Sequence, residues 1–241
     1  YESGIDSLFP FQMAGPTGWL VELLRDGNGR EIARRVAGWQ EKVRTRNPLA
    51  LDAPFISNHD QARSSGFLMR NDTRIKQAAA LYLTMPGIPF VYYGEELGMS
   101  GSGRDENKRL PMVWSAEPDK LCLPPEEADQ KQRLTSGVQE QENDPNSLLS
   151  FYWQVIALRN QCPELTGGSV AALPSDEKAL AAWRVTGDGS TATVLHNLGD
   201  QALSPPLPPG GMLGGWDTGA GVPVVQGETL LLPPHSGCIF R

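Results

Sequence analysis

The sharpest chemical signal in the chain is the run Phe55-Ile56-Ser57-Asn58-His59-Asp60, where an apolar stretch opens into a polar one. A carboxylate next to an imidazole can hydrogen-bond two neighbouring hydroxyls of a sugar. It can also stabilise the positive charge that develops as a glycosidic bond breaks. The same three polar residues could instead do no more than cap a turn and the helix after it. Spacing alone leaves both readings open.

The elements around the run decide where such side chains would stand. Ala53 to Ser57 reads as a buried strand, so Asn58, His59 and Asp60 fall at its carboxyl end. In parallel α/β architectures binding and catalytic side chains collect at that end. A helix over about 72–85 follows, with Ile75, Ala78, Ala79, Tyr82 and Leu83 at helical spacing, Asn71 or Asp72 as cap and Pro86-Gly87 as stop. Ile88 to Tyr93 is apolar throughout, as a parallel strand covered on both faces would be. Upstream, Ile32, Val36, Trp39 and Val43 predict a helix over 30–45. Downstream, a polar loop over about 97–143 leads to a helix over 147–160. From about 167 the chain reads as short strands (179–185, 191–196, 229–232 and 237–240) separated by Gly and Pro clusters such as Asp188-Gly189. That is the pattern of a small antiparallel sandwich.

Composition narrows the function classes. The 241 residues carry 21 Lys and Arg against 28 Asp and Glu, a formal charge of −7. That balance argues against nucleic acid and against an anionic membrane surface as partners. No apolar run approaches the ~20 residues of a membrane span. With 39% hydrophobic and 20% charged residues the chain is not a disordered acidic tail. Gly (26) and Pro (20) make up roughly a fifth of it, well above the usual ~12%, which implies many turns. Cys122, Cys162 and Cys238 are odd in number and far apart, and His59, His196 and His235 lack metal-ligand spacing. The chain starts at Tyr1 without a recognisable leader, so the sequence gives no compartment.

Asn58-His59-Asp60 with Gln61-Ala62-Arg63, followed by Met85-Pro86-Gly87-Ile88-Pro89-Phe90-Val91-Tyr92-Tyr93-Gly94-Glu95-Glu96-Leu97-Gly98-Met99, resembles the α-amylase family of glycoside hydrolases and transglycosidases. Arg104 to Trp114 is similar to a segment of α-glucosidase-like members, with Leu110 and Val113 in place of Thr and Gln. Ile5 to Phe11 looks like the sixth barrel strand, and Leu231 to Ser236 like the closing strand of the family's C-terminal β domain.

The resemblance implies an α/β fold class. The chain would hold a partial (β/α)8 barrel, about strands six to eight, in residues 1–166, then an all-β antiparallel sandwich in residues 167–241. Asp60 would be the transition-state-stabilising carboxylate, and His59, Asn58, Arg63 and Arg109 would bind substrate. Glu95 and Glu96 would be structural. Tyr92, Tyr93 and Trp114 could offer stacking faces, with core packing expected for Tyr92 and Val91.

A retaining glycosidase also needs a nucleophile and an acid/base carboxylate roughly 5–5.5 Å apart. In the family these lie on strands four and five, in an Arg-x-Asp motif and a Glu motif, and neither is assigned in this chain. The expectation is therefore the C-terminal portion of a larger α-glucan-acting hydrolase, inactive by itself. Its partners would be an α-glucan or oligosaccharide and the N-terminal remainder of the same enzyme, with self-association where the sheet is left open. No cofactor is called for; calcium occurs in many relatives but is not readable here. Three other readings stand beside this one. They are a transglycosidase of the same fold, a non-catalytic amylase-like binding or assembly domain, and glucan binding by the β module through Trp183 or Trp216.

Overall fold

The computed structural model describes residues 4–131, 134, 136–187 and 189–241. Asp188 of the Asp-Gly separator lies outside the described residues. Gly189 follows it at φ +76°, a backbone angle that favours glycine.

The helical half contains α1 (Trp19–Arg25), α2 (Gly29–Arg46), α3 (Ser64–Phe67) and α4 (Asp72–Thr84). These are followed by α5 (Asp105–Lys108), α6 (Val138–Gln141), α7 (Leu148–Asn160) and α8 (Glu164–Gly167). Caps fix the starts of the long helices. Asn28 accepts from the Glu31 amide, Asn71 from Arg74 and Ser147 from Ser150. Every residue of α4 from Ile75 to Thr84 is buried, which makes α4 a central rod and not the one-sided helix its spacing predicts. Leu51 to Gly98 contains no regular strand, so the predicted strands at 53–57 and 88–93 do not form as ladders.

Those stretches still lie side by side. The Leu51 amide donates to Asp6 O (2.8 Å), Ile88 to Asp52 O (2.7 Å) and Phe90 to Pro54 O (2.8 Å), so 88–90 runs parallel to 52–54. A ladder also needs a returning donor at position 54, and Pro54 has none. Nor is the second stretch covered on both faces. Ile88, Phe90, Val91 and Tyr93 stand 44%, 48%, 38% and 38% exposed, so Val91 does not pack in the core. Phe9 ties the three stretches together, with ring centroids 5.1 Å from Phe55 and 4.9 Å from Phe90.

The C-terminal strands are β1 (Ser169–Ala172), β2 (Leu180–Thr186), β3 (Thr191–Asn197), β4 (Met212–Trp216), β5 (Val224–Gln226), β6 (Thr229–Leu231) and β7 (Gly237–Phe240). Five of them form an antiparallel sheet in the order β1-β2-β3-β7-β4, and β5 pairs with β6 in a separate hairpin. The sequence reading misses β1, β4 and β5. In β4 two glycines hide the pattern, because packing forbids side chains there. A Cβ on Gly214 would meet Leu158 Cδ2 at 2.7 Å, and one on Gly215 the Gly237 carbonyl at 2.9 Å.

One face of the sheet, with Ala181, Trp183, Val185, Val194, Trp216 and Ile239, joins the core of α1, α2, α4 and α7. The other face, with Leu180, Ala182, Leu195, Cys238 and Phe240, packs on Leu230 and Leu232. Helices, sheet and hairpin are thus three stacked layers. The composition change near residue 167 is crossed by a shared core. Trp183 and Trp216 lie inside it, 0% and 1% exposed, so neither offers the β module a stacking surface for sugar. No helix among the described residues is long and apolar enough to cross a membrane.

Candidate active-site loop and the buried network beneath it

Asn58 makes the loop by bending the chain onto its own side chain. Its Oδ1 accepts from the Asp60 amide at 2.9 Å, and its carbonyl from the Gln61 amide at 3.2 Å. The turn projects His59 and Asp60 outward, their side chains 60% and 55% exposed, with His59 Nε2 3.4 Å from Asp60 Oδ1.

The short helix α5 supplies the opposite bank. Arg109 stands just past its end, one guanidinium nitrogen 3.7 Å from Asp60 Oδ1 and 3.4 Å from Asp105 Oδ2. Lys108 Nζ donates to the Asp60 carbonyl (3.1 Å) and to Asp105 Oδ1 (2.9 Å). The hydrogen bond and charge of Lys108, then the charge of Arg109, hold the Asp105 carboxyl below the usual carboxylate range. The distances to Asp60 are long and its surroundings open, so these pairs are weak and can exchange for the hydroxyls of a ligand. Asn58, His59, Asp60 and Arg109 therefore come together at one exposed loop. Asp105 and Lys108 join them unassigned by the sequence reading. The signal that could have found them is the Asp105, Lys108, Arg109 spacing, which puts all three on one helical face.

Arg63 is placed apart from the others. Its guanidinium is wholly buried under the loop, so in this arrangement it meets no substrate. It donates to Lys108 O (3.1 Å) and Tyr93 O (2.5 Å), and lies 4.4 Å and 4.7 Å from the Tyr92 and Tyr93 ring centroids. Glu95 faces it, Oε1 3.9 Å from Arg63 and equally buried. Burial pushes the Glu95 carboxyl above its ordinary range, against hydrogen bonds from Ser57 and Ser64 and the charge of Arg63. Burial likewise raises Glu96, and pushes Tyr92 up to about 12. Tyr92 and Tyr93 spend their hydroxyls on the Lys108 (3.1 Å) and Leu110 (2.8 Å) carbonyls. Trp114, 61% exposed, is the most open aromatic near this segment.

Leu110 and Val113 are buried in a small cluster with Leu97, Met99 and Leu149, which accounts for apolar residues at those two places. The chain holds one Arg-x-Asp triplet, Arg70-Asn71-Asp72. Its Asp72 opens α4 and pairs with Lys76 at 2.8 Å, so it stands at a helix start and not at the end of an extended stretch. Among the described residues no three His, Cys, Asp or Glu side chains converge as a metal site.

The chain as a whole is similar to known proteins. The family described as alpha amylase, catalytic domain, matches residues 24–168. Alpha-amylase SusG of Bacteroides thetaiotaomicron is 32% identical over 216 residues, covering 86% of this chain and 31% of its own length. Alpha-amylase 3 of Dictyoglomus thermophilum is 32% identical over 149 residues, 61% of this chain and 30% of its own. The solved structure of Eubacterium rectale Amy13B superposes with a TM-score of 0.92 at 28% identity, over 99% of this chain and 49% of that one. The chain spans about a third of those curated relatives and about half of that structure.

Proposed function

The chain belongs to the α-amylase catalytic-domain family, and from that premise we propose that it is the C-terminal part of a retaining glycoside hydrolase that cleaves α-glucosidic bonds of starch- or maltooligosaccharide-type substrates. In this reading 5–11, 53–57 and 88–93 are the last three strand positions of a (β/α)8 barrel in residues 1–166, and 167–241 is the β domain behind it. The observation that carries the reading is the exposed meeting of Asn58, His59, Asp60 and Arg109 at the end of an extended stretch.

Asp60 accepts hydrogen bonds from two hydroxyls of the sugar at the cleavage point, and its charge favours the oxocarbenium-like transition state. His59 donates to the same hydroxyls, Asn58 holds the loop in its turn, and Arg109 orients Asp60 from the opposite bank. The nucleophile and the acid/base carboxylate come from the part of the enzyme outside this chain. The mechanism runs on carboxylates and needs no cofactor.

The 241 residues alone should therefore give no turnover of maltooligosaccharides or nitrophenyl α-glucosides. The same assay on the longer enzyme should show activity that disappears with Asp60→Asn. Robust turnover by the isolated chain would overturn the proposal.

A second reading, transfer of the glucosyl group to a sugar acceptor, is favoured by a specific similarity. 4-alpha-glucanotransferase of Thermotoga neapolitana is 27% identical over 157 residues, covering 61% of this chain and 35% of its own length. Product analysis with an excess of acceptor separates transfer from hydrolysis.

A further inference from the structure

We propose that the buried Arg63–Glu95 pair is a positioning device that sets Asp60 against Arg109. The inference rests on the functional reading above only for its effect on turnover. Its structural half stands on the contacts alone.

One carboxylate closes both ends of the loop. Glu95 Oε1 accepts from Ser57 Oγ at 2.6 Å, and Ser57 directly precedes Asn58. The other oxygen accepts from the Ser64 hydroxyl and, at 3.3 Å, from the Ser64 amide, directly after Arg63. The six residues 58–63 are thus pinned at entry and exit by a single buried group.

Arg63 extends the pinning to the opposite bank. Its Nε donates to the Lys108 carbonyl, where the Tyr92 hydroxyl also donates, and that carbonyl belongs to the peptide leading into Arg109. Its own amide donates to Gly101 O at 3.0 Å, at the start of the same segment. The two banks therefore share one buried ion pair, and the Asp60 to Arg109 distance follows from it.

Energetics favour a positioning role over a stabilising one. Burying two charges costs several kcal/mol of hydration per ion, and apolar replacements of similar volume are often as stable. At 3.9 Å the pair is not a tight one, and the second terminal nitrogen of Arg63 is buried with no hydrogen-bond partner. What the arrangement provides is directional hydrogen bonds to two separate backbone segments, which a hydrocarbon side chain cannot supply.

The test uses nuclear magnetic resonance order parameters of the 241-residue chain, alongside steady-state kinetics of the longer enzyme. Glu95→Gln should drop the order parameters of residues 58–61 from about 0.85 to below about 0.6. Arg63→Lys keeps the charge but loses the fork, and should loosen 108–110 while leaving 58–61 ordered. Should Glu95→Gln fail to fold, the Ser57→Ala, Ser64→Ala double variant removes only the donors and should loosen the same loop. In the enzyme each variant should lower kcat at least tenfold with KM changed less than threefold.

Unchanged order in both segments, or equal loosening of α4 and α7, overturns the inference. A loosened loop with wild-type kcat supports the positioning and instead removes Asp60 from the chemistry.

Discussion

His196 Nε2 and Thr84 Oγ1 stand 3.0 Å apart, joining the middle of the sheet to the last turn of α4. The Thr84 hydroxyl spends its proton on the Ala80 carbonyl at 2.7 Å, so the imidazole is the donor in this contact. The ring lies between Trp183 and Trp216, 5.2 Å from each centroid. In that surrounding a charged imidazolium is costly, and burial lowers its pKa from 6.5 to about 3.

The first prediction concerns acid stability. Between pH 6.5 and about 3 the unfolded chain binds a proton at His196 that the folded chain does not. Stability from this residue is complete above pH 6.5 and falls as pH drops, by up to about 1.4 kcal/mol per pH unit. Urea unfolding at pH 7.5, 6.5 and 5.5 measures the slope. His196→Gln should flatten it, and an unchanged slope in that variant would assign the acid sensitivity to other groups.

Arg159 carries the second. This buried guanidinium on α7 donates to the carbonyls of Leu83, Met85, Gly87 and Leu165, and burial lowers its pKa to about 10, which leaves it charged at neutral pH. It thereby closes the C-terminal end of α4 and the turn entering 88–93. Arg159→Met leaves those four carbonyls without this donor and should cost about 3 kcal/mol. At roughly 2–4 °C per kcal/mol for a chain this size, thermal unfolding should show Tm down by roughly 6–12 °C. A loss under 2 °C would mean that water or a neighbour replaces the arginine.

Legibility in the sequence followed physical range. Helices α2, α4 and α7 and strands β2, β3 and β7 were readable because caps, stops and periodicity are local. Asp60 and Arg109 are each singled out only by motif resemblance, and the structure brings the two to 3.7 Å. The burial of Arg63 was not readable, since a charged residue next to Asn58-His59-Asp60 looks like a solvent-facing one until the Tyr92 and Tyr93 rings close over it. β4 was hidden because Gly214 and Gly215 are there for close approach, which no propensity records. Extended backbone at 53–57 that completes no ladder depends on Pro54 lacking one donor, a detail finer than any hydrophobic pattern.

The third prediction isolates Asp60. Its side chain is 55% exposed and its contacts to His59 and Arg109 are long, so Asp60→Asn should leave Tm within 1 °C. In the longer enzyme the same change should lower kcat by several orders of magnitude, because the stabilised charge exists only in the transition state. Circular dichroism melting paired with a stopped assay separates the two effects. Near-normal turnover would take Asp60 out of the site.

The last prediction follows from the aromatic and aliphatic face at the open side of the extended stretches. Phe9, Phe11, Ile88, Phe90, Val91 and Tyr93 are each 38–48% exposed and lie on neighbouring stretches. Exposed apolar side chains gathered on neighbouring stretches favour association. In the proposed enzyme the missing part of the barrel would cover it. Alone, the 241-residue chain should therefore associate with itself as concentration rises, in a manner weakened by low temperature and insensitive to salt, since the driving force is apolar burial and not charge. Phe90→Asp places a charge beside Phe9 and should raise the association midpoint at least tenfold, while Trp153→Asp, on the outer side of α7 at 51% exposure, should not move it. Light scattering that shows a strict monomer at all concentrations, or equal effects of the two substitutions, would mean that this face is not what the chain buries.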